Sequence, residues 1–548
     1  MAYTTEGIRN LALVGHAGSG KTTLAESLLL DAGVINEVGV VEKGSTVTDF
    51  DELEQKHLHS LTAALASYDY GDTHINLIDT PGYPDFIGPT LSVLGAVETI
   101  AIVVNAQNGV ESSTRRMMEA VKQRNLCAMI VVNRIDAEDV DLEAVYAQIQ
   151  ESFGSECLAV NLPTSNGSDV VDCFFGTEGE SDISSVEDAH TAIVDQTVEL
   201  DDDLMTAYLD QGEVAPEQLH DPFEQAMRER HVVPVCFVSS KTSSGVRALN
   251  EFICKMLPSP LEGNAPRFVN GSGDEGERYD VVPDASKPVL GHVFKISFDP
   301  FVGRQAVFRL YQGTIKKDAQ VFLKDSRKGL KVGNLSSCLG KKLSDSAAAI
   351  PGDIMLISKA EGFAYDAVVR DAHDDNDIQL EAVALPTPMV GVSIAPKSRG
   401  DEQKIAEVLT KLTESDPCFR IERNPAANET VLRGMGDLHL RMAVERMSVQ
   451  YAVEVETAVP TIPYRETIGK SAEGHAKHKK QTGGAGQFGE VYLRIEPLGR
   501  GEGFDFVNKI VGGVIPAQFI PAIEKGVQSV LEGGAVAGFP MQDIRVSV

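Results

Sequence analysis

Eight residues near the start of the chain have the types and spacing of a phosphate-binding loop. The segment GHAGSGKT at 15–22 matches the pattern G-x-x-x-x-G-K-T, follows the apolar run NLALV and leads into the helical pattern TTLAESLLLDAG. Glycines allow backbone N–H groups to curl around phosphate oxygens at the start of a helix. In such a loop Lys21 supplies charge to the β and γ oxygens, and the Thr22 hydroxyl binds Mg²⁺. The sequence therefore predicts a magnesium-dependent triphosphate site.

A second segment, DTPG at 79–82, follows the apolar run HINLI and has the features of a γ-phosphate sensor. Asp79 at the end of a strand can reach Mg²⁺ through water, and the Gly82 N–H can approach a phosphate because no side chain intervenes. A simple proline turn is the alternative for this segment alone. Its position behind a phosphate loop favours the sensor, and it places Tyr83 beside the reacting phosphate.

Two further segments indicate which base is bound. Asn133, Arg134 and Asp136 follow the apolar run AMIVV, and Ser-Ser-Lys at 239–241 follows VPVCFV. A carboxylate at Asp136 can accept two parallel N–H bonds from guanine, whereas adenine offers no such pair. Arg134 can lie against the purine, and the 239–241 segment can donate a backbone N–H to the guanine oxygen or act only as a helix N-cap. GTP is predicted over ATP.

The predicted site residues come from these segments. The nucleotide-binding residues are Gly15, His16, Ala17, Gly18, Ser19, Gly20, Lys21, Thr22, Thr23, Asp79, Gly82, Asn133, Arg134, Asp136, Ser239, Ser240 and Lys241. The catalytic residues are Lys21, Gly82 and Tyr83, the cofactor is Mg²⁺, the substrate is GTP and the product is GDP.

A repeated alternation of strands and helices must hold these loops. Over residues 8–260, the apolar runs NLALVG, HINLID, TIAIVVN, AMIVVN and VPVCFV each lead into a polar turn and then a helical pattern. This pattern is typical of a doubly wound, mostly parallel sheet. Residues about 155–230 exceed a simple connection between strand and helix and predict an inserted subdomain.

The pattern changes after LPSP at 257–260 and the polar stretch GSGDEGERYD. We expect a P-loop GTPase domain at 1–262, a linker at 263–286 and a β-barrel at 287–380, because short strands there alternate with glycine turns. Helices mixed with strands predict α+β domains at 381–460 and 461–548. The last strand pattern, QDIRVSV, reaches the final residue, so we expect the last domain to be truncated.

Charge and cysteine content bear on partners and compartment. The net charge of −31 argues against a nucleic-acid partner unless a local basic patch exists. One basic run is present, with His475, Lys477, His478, Lys479 and Lys480; a solvated loop is the alternative to an RNA contact. The 7 scattered cysteines have no metal-like spacing and predict reduced thiols in the cytoplasm.

Two other features set limits on the predicted partners. No apolar run approaches the roughly 20 residues that a membrane helix needs, so no membrane is predicted. His57 and His59 lie two positions apart, but without further ligands they predict zinc only weakly.

These loops and four later segments resemble elongation factor G and its ribosome-acting relatives across nearly the whole chain. The later segments are RGMGDLHL at 433–440, YRET at 464–467, HKKQTGGAGQFG at 478–489 and GFDFVNKIVGGVIP at 503–516. The resemblance implies a monomeric translation factor that binds ribosomal RNA and proteins and hydrolyses GTP to drive translocation or ribosome recycling. It implies five domains, of which the fourth is cut short here and the fifth is missing.

Several positions depart from the family's pattern. The family usually has Asp at the position of Gly18, Arg-Gly-Ile-Thr where this chain has residues 57–60, and Lys at the position of Arg134. Ser60 keeps the hydroxyl that seeks magnesium, so the predicted metal ligands are Thr22, Ser60 and Asp79.

The family's catalytic histidine is replaced by Tyr83 in this chain. A phenol can orient water, but it is a poor proton acceptor and cannot become cationic. Removal of one positioned hydrogen-bond donor from an active site slows a reaction by about 10²–10³-fold, and we expect GTP hydrolysis to be slower here by a similar factor. The alternative is that Tyr83 only packs over the loop and another group acts. A GTP-dependent ribosome-binding switch with little hydrolysis and a ribosomal protection factor are the alternative functions.

Overall fold

A computed structural model of the chain describes residues 3–211, 214, 216–264, 266–271, 277–324, 328–371, 378–381, 384–398, 400–424, 427–480 and 486–548. These residues fall into two compact units. The larger unit comprises Met1–Val390, Ser398–Arg420 and Arg433–Glu454. The smaller unit comprises Gly391–Lys397, Ile421–Leu432 and Val455–Val548.

A mostly parallel sheet forms the first part of the larger unit. Its strands and an adjoining hairpin are β1 (Ile8–Val14), β2 (Ala64–Tyr70), β3 (Thr73–Asp79), β4 (Thr99–Asn105), β5 (Cys127–Asn133), β6 (Cys157–Ala159), β7 (Asn161–Thr164), β8 (Asp169–Asp172) and β9 (Val233–Val238). The order is β2-β3-β1-β4-β5-β9-β6, and only β2 runs antiparallel to its neighbour in this sheet, while β7 and β8 form a separate hairpin. The predicted doubly wound sheet is therefore confirmed.

Helices cover both faces of this sheet. The helices of this part of the chain are α1 (Lys21–Asp31), α2 (Glu52–His57), α3 (Ile87–Ser92), α4 (Ser112–Arg124), α5 (Leu142–Phe153), α6 (Val186–Val198), α7 (Asp202–Gln211), α8 (Pro216–Glu229) and α9 (Val246–Met256). Leu11 and Leu13 of β1 pack in one core with Leu24 of α1, whereas Ala12 and Val14 pack in the other with Met117 of α4. Because successive strand side chains point to opposite faces, β1 is buried on both.

The second part of the larger unit is rich in antiparallel strands. They are β10 (Phe268–Asn270), β11 (Glu277–Tyr279), β12 (Leu290–Asp299), β13 (Gly303–Gln312), β14 (Ile315–Lys316), β15 (Gln320–Leu323), β16 (Leu330–Lys331), β17 (Leu335–Leu339), β18 (Lys342–Ser346), β19 (Ala348–Ala349), β20 (Ile354–Ser358), β21 (Val368–Arg370) and β22 (Ile378–Leu380). The order β16-β15-β21-β12-β13-β20-β17 continues into β2 through the pair Leu339↔Ala66. Two of these short strands, β10 and β11, lie in the segment 263–286 that the sequence predicts to be a linker.

Two more helices complete the larger unit. They are α10 (Glu402–Ser415) and α11 (Asp437–Tyr451). The buried side of α10 is formed by Ile405, Val408, Leu409 and Leu412, which recur at helical spacing.

The smaller unit contains two four-stranded sheets. Its elements are β23 (Val390–Pro396), β24 (Arg420–Asn424), β25 (Glu429–Gly434), β26 (Val455–Ala458), β27 (Ala472–Lys480), β28 (Gln487–Pro497), β29 (Phe504–Val507), β30 (Ile544–Ser547) and α12 (Ile520–Gly533). The sheet orders are β24-β25-β23-β26 and β27-β28-β30-β29. Glu466 of the YRET segment accepts backbone N–H bonds from residues 535, 536, 537 and 539, so it fixes the turn that follows α12.

The predicted fold class is confirmed by these elements: a large parallel-sheet domain is joined to several β-rich and α+β parts. Within the described part of the chain, no helix has the length and apolar character required to span a bilayer.

Candidate nucleotide-binding site

The phosphate loop connects β1 to α1 in a conformation that only glycine fits at two points. Gly15 has φ 142°, and a Cβ there would lie 2.4 Å from the Val103 carbonyl oxygen. Gly20 has φ 86°, and a Cβ there would lie 2.5 Å from Asn133 Nδ2. The loop can therefore approach its neighbours closely, as a backbone cradle for phosphate must.

Lys21 begins α1 and turns its ammonium group back into this loop. Its Nζ donates to the Gly15 carbonyl at 2.9 Å and to the His16 carbonyl at 3.0 Å. Burial lowers the pKa of Lys21 to about 8, and Asp79 and Asp49 oppose that effect. An anionic ligand would favour the charged form, so this lysine is suited to hold phosphate.

Oxygen ligands meet at the start of α1. Asp79 Oδ2, at the end of β3, accepts from Thr22 Oγ1 at 2.7 Å and from Thr48 Oγ1 at 2.9 Å. The Ser60 hydroxyl lies 3.4 Å from Thr22 Oγ1. The predicted metal ligands Thr22, Ser60 and Asp79 are thus brought together, although they come from three separate segments.

This cluster fits magnesium by its chemistry. The second carboxylate oxygen of Asp79, Oδ1, is buried and has no hydrogen-bond partner. Burial raises the pKa of Asp79, with Asp49 adding to the rise; burial also raises the pKa of Asp49, which the Ser60 hydroxyl partly offsets. Two buried carboxyl groups that disfavour each other's charge are stabilised by a hard dication with oxygen ligands.

Asp49 and Thr48 are two residues of this cluster that the sequence did not identify. Asp49 is 4% exposed and Thr48 is 1% exposed. In sequence they stand in the acidic stretch TDFDELE, where each carboxylate resembles a solubilising charge. One signal in the sequence could have identified them: Thr48 and Asp49 stand shortly before Asp51, which caps α2 by accepting from Leu53 N.

Asn133 joins the base-binding segment to the phosphate loop. Its Nδ2 donates to the Ser19 carbonyl at 3.0 Å and to the Gly20 carbonyl at 3.3 Å. Its Oδ1 accepts from Arg134 N at 2.8 Å and from Ser240 N at 3.0 Å. One fully buried amide therefore holds three of the predicted segments in register.

Asp136 is oriented by a hydroxyl from the 239–241 segment. Ser239 Oγ donates to Asp136 Oδ1 at 2.6 Å and accepts from Thr242 N at 3.1 Å. Asp136 is half-buried, and Arg134, at φ 66°, is exposed together with Lys241. This bond uses one lone pair of Asp136 Oδ1 and leaves Oδ2 and the remaining Oδ1 lone pair available to a ligand, so Ser239 orients the carboxylate.

The remaining predicted ligands lie around the phosphate loop. His16 Nδ1 contacts Ser113 Oγ at 3.0 Å, at the first turn of α4. The buried Ser19 hydroxyl has no hydrogen-bond partner, and the half-buried Thr23 lies in the first turn of α1. A side chain built on Gly18 would meet no atom within 4 Å.

Gly82 lies directly against the phosphate loop. A Cβ on Gly82 would lie 2.5 Å from Lys21 Nζ and 2.6 Å from Ala17 N. The next residue, Tyr83, is 40% exposed. It lines a small cavity of about 20 Å³ with Gly15 and Arg116, a cation of α4 that the sequence analysis did not single out.

The segment 57–60 packs beside Tyr83. The His59 ring centroid lies 4.8 Å from that of Tyr83 and 5.7 Å from that of Phe86. Glu54 fixes the segment, because its Oε1 accepts from Leu61 N at 2.9 Å and from Thr62 N at 3.0 Å. The backbone that directly follows His59 and Ser60 is therefore held in place.

Helix α11 holds the other side of α2. Glu445 accepts from Lys56 Nζ at 2.5 Å and contacts His57 Nε2 at 2.8 Å. Asp51 accepts from Gln450 Nε2 at 2.9 Å and from Arg446 at 3.4 Å. His57 thus has a carboxylate partner, and within the described residues no group of three His, Cys, Asp or Glu side chains is arranged to hold a metal ion.

The RGMGDLHL segment contacts the turn after DTPG. The His439 N–H donates to Asp85 Oδ2 at 3.2 Å, and a Cβ on Gly436 would lie 2.4 Å from the same carboxylate oxygen. The His439 ring accepts from Met435 N at 3.1 Å through Nδ1, so Nε2 carries the proton that it shares with Asp416 Oδ2 at 3.2 Å. The start of α11 is therefore bonded directly to the turn that contains Asp85.

The predicted basic run forms β27 in the smaller unit, and every residue of this strand is exposed. His475 stacks on Tyr492 with centroids 4.1 Å apart, and Lys477 lies 5.5 Å from the centroid of the Phe488 ring. Glu490 contacts both His475 Nε2 at 3.0 Å and Lys477 Nζ at 3.1 Å. Basic and aromatic side chains share this surface, although part of its charge is neutralised.

Four family models match the chain in order. They describe the elongation factor Tu GTP-binding domain (residues 6–259), elongation factor G domain 2 (288–366), elongation factor G domain III (385–459) and elongation factor G domain IV (460–548). The matched ranges run through both compact units.

Relatives match over nearly the full chain. An elongation factor G-like protein of Mycobacterium tuberculosis is 33% identical over 571 residues, covering 99% of this chain and 79% of that protein. One from Thermotoga maritima is 33% identical, covering 99% of this chain and 80% of that protein. A crystal structure of a protein from Thermus thermophilus has a TM-score of 0.85 and 34% identity, covering 99% of this chain and 80% of that one. The chain belongs to the elongation factor G family of translational GTPases.

Proposed function

We propose that this protein binds GTP with Mg²⁺ and hydrolyses it on the ribosome, to drive translocation or ribosome recycling. The observation that carries the proposal is the position of Asn133, which bonds to Ser19 and Gly20 of the phosphate loop and to Ser240. A buried amide with all these bonds fixes the distance between the phosphate cradle and Asp136. That arrangement suits a purine nucleotide that reaches from one to the other, and the Asp136 carboxylate favours guanine.

Each group of residues has a distinct task in this proposal. Lys21 and the backbone of residues 15–20 hold the β- and γ-phosphates, and Gly82 donates its N–H to the γ-phosphate. Thr22, Ser60 and Asp79 hold the metal, with Asp49 behind them. Magnesium, when bound, neutralises phosphate charge and orients the triphosphate.

The base is selected by Asp136 and its neighbours. Asp136, aimed by Ser239, accepts the N–H groups of guanine, Arg134 covers the purine face, and the backbone at 240–241 donates to the guanine oxygen. An adenine would leave a carboxylate without donors, and that loss disfavours it strongly.

Ribosome binding is supported by the family and by the surface of β27. Cations beside exposed aromatic rings, such as Lys477 near Phe488, suit RNA phosphates and stacked bases. We propose a cytoplasmic monomer whose other partners are ribosomal proteins. The domain boundaries at 262, 286, 380 and 460 stay predictions.

A second candidate function is a GTP-dependent ribosome-binding switch with little hydrolysis. Tyr83 favours it, because a phenol follows Gly82 where the family has an imidazole. In that case GTP only orders residues 57–60 and the sensor turn.

Phosphate release from GTP by the purified chain, with and without ribosomes, separates these functions. The hydrolase predicts slow release alone and strong stimulation by ribosomes. The switch predicts GTP-dependent ribosome binding with no stimulated release. Lys21→Ala serves as the control that loses both, and an unmodified chain that neither binds nor hydrolyses GTP contradicts both functions.

A further inference from the structure

We propose that His59, working with Tyr83, positions the water that attacks the γ-phosphate. The inference rests on the proposed GTP hydrolysis and adds a residue to it. The observation behind it is the contact between the two rings, whose centroids lie 4.8 Å apart although the residues are on different segments. An imidazole therefore stands beside the sensor turn without being part of it.

The hydrogen bond of His59 fixes which ring nitrogen can accept. Nδ1 lies 3.3 Å from the Ser60 carbonyl oxygen. A carbonyl oxygen only accepts, so Nδ1 carries the hydrogen of the neutral ring and Nε2 presents a lone pair. That lone pair is the feature required to accept a hydrogen bond from a water molecule.

His59 and Tyr83 are each next in sequence to a residue of the proposed phosphate site. The next residue, Ser60, lies 3.4 Å from the Thr22 hydroxyl. Tyr83 follows Gly82, where a Cβ would lie 2.5 Å from Lys21 Nζ. Both rings are therefore one residue in sequence from groups of the proposed triphosphate site, and they contact each other there.

The surroundings hold the pair together. Phe86, 2% exposed, packs against His59, and Glu54 bonds to the backbone of Leu61 and Thr62. Leu58, at φ 59°, ends α2 and turns the chain toward Tyr83. The His59 ring is thus held by its neighbours, and a rigidly held side chain is required to orient a nucleophile.

The water accepts a hydrogen bond from the Tyr83 hydroxyl and donates one to His59 Nε2, so that its oxygen faces the γ-phosphorus. The new bond forms between the water oxygen and phosphorus, and the bond from phosphorus to the β,γ-bridging oxygen breaks. Its electron pair leaves with GDP. Both hydrogens of the water end on the released phosphate, so His59 needs to accept only a hydrogen bond.

The test compares His59→Ala, His59→Gln, Tyr83→Phe and His59→Ala combined with Tyr83→His in single-turnover GTP hydrolysis with ribosomes. His57→Ala is the matched control, since it removes the neighbouring imidazole, whose Nε2 contacts Glu445. We expect His59→Ala to lower the hydrolysis rate about a hundredfold and the control to change it less than twofold. His59→Gln, which retains an acceptor, and the added Tyr83→His should each restore part of the rate.

Two binding measurements exclude a merely structural effect. Affinity for a non-hydrolysable GTP analogue should stay within twofold in His59→Ala, because the substrate contacts remain. Affinity for GDP with aluminium fluoride, which mimics the transferring phosphate, should fall along with the rate. A KM that stays constant while kcat falls gives the same conclusion.

The outcomes also separate this inference from the proposed function. If the unmodified chain hydrolyses GTP and His59→Ala matches His57→Ala in rate, the inference is wrong and the proposed function stands. Equal loss of analogue affinity and rate in His59→Ala would likewise reject water positioning in favour of a structural role. If the unmodified chain binds no guanine nucleotide, or binds it without any hydrolysis, both the GTPase proposal and the inference fail.

Discussion

The Ser239 hydroxyl donates a 2.6 Å hydrogen bond to Asp136, although the two residues stand more than a hundred positions apart. The bond joins the ends of β5 and β9, which are neighbours in the sheet. Carboxyl ends of adjacent parallel strands meet at one edge, so side chains distant in sequence can act on one ligand. The proposed base pocket depends on this relationship.

Replacing Asp136 by Asn should change the preferred base. The amide cannot accept both guanine N–H groups, so GTP affinity is expected to fall about a hundredfold. Xanthosine triphosphate carries an oxygen in place of the exocyclic amino group of guanine, so it should bind the variant better than GTP does. Competition binding with both nucleotides measures this, with the exposed Glu138→Gln as control. Unchanged base preference would reject the pocket.

Asp49→Asn tests the carboxylate that the sequence analysis missed. Removal of one negative charge from the buried pair of Asp49 and Asp79 should weaken metal binding about 10- to 100-fold. The magnesium dependence of GTP-analogue affinity should shift to higher concentrations. Asp72→Asn, at an exposed turn, is the matched control. An unshifted magnesium titration would remove Asp49 from the metal cluster.

The stability contributed by Glu54 should depend on pH. Burial, with Asp49 and Asp51 adding to it, raises the Glu54 pKa above its usual 4.5. The unfolded chain thus gives up this proton at lower pH than the folded chain, so the stabilisation is fully present below pH 4.5 and is lost as pH rises through the raised pKa.

Glu54→Gln should abolish that part of the pH dependence. The amide oxygen still accepts from Leu61 N and Thr62 N, and the side chain cannot ionise. Thermal unfolding of both proteins from pH 4 to 8 is the measurement, and the melting temperature of the variant relative to the unmodified protein should increase with pH. A constant difference would show that Glu54 does not titrate in this range.

Arg309 and Glu98 form a buried ion pair between β13 and the segment before β4. The guanidinium donates to Glu98 at 2.5 Å and to the Gly352 carbonyl at 2.7 Å, and Arg309 is 1% exposed. Arg309→Met leaves the buried Glu98 carboxylate without its guanidinium partner, although Asn10 still donates to it, and should cost about 3–5 kcal/mol of unfolding free energy. Adding Glu98→Gln should recover part of that loss in urea unfolding, and additive losses would contradict the coupling.

Local patterns were enough to predict the parallel sheet and the positions of the loops that follow its strands, whereas nucleotide binding by three of these loops stays a prediction. Each predicted strand is a short apolar run with a turn after it. Residues such as Lys21 and Asn133 belong to contiguous sequence motifs, so they can be recognised without knowledge of the fold. The antiparallel β2 was not identified, because ALASYDY is neither fully apolar nor bounded by a strong turn signal at its start.

Contacts across the fold could not be predicted in this way. Nothing near His57 in sequence indicates its partner Glu445, and nothing near Asp85 indicates the His439 N–H. The nearness of His59 to Tyr83 likewise depends on how two loops pack. Such pairs are set by tertiary structure, and a single sequence carries no periodic signal for them.

The central claim is that the protein selects guanine triphosphate through a carboxylate fixed relative to a phosphate loop. Calorimetric titration of the intact chain with GTP, GDP, ATP and ADP in the presence of magnesium tests it most directly. Guanine nucleotides should bind at least about a thousandfold more tightly than adenine nucleotides. Equal affinity for the two bases, or no binding of either, would contradict it.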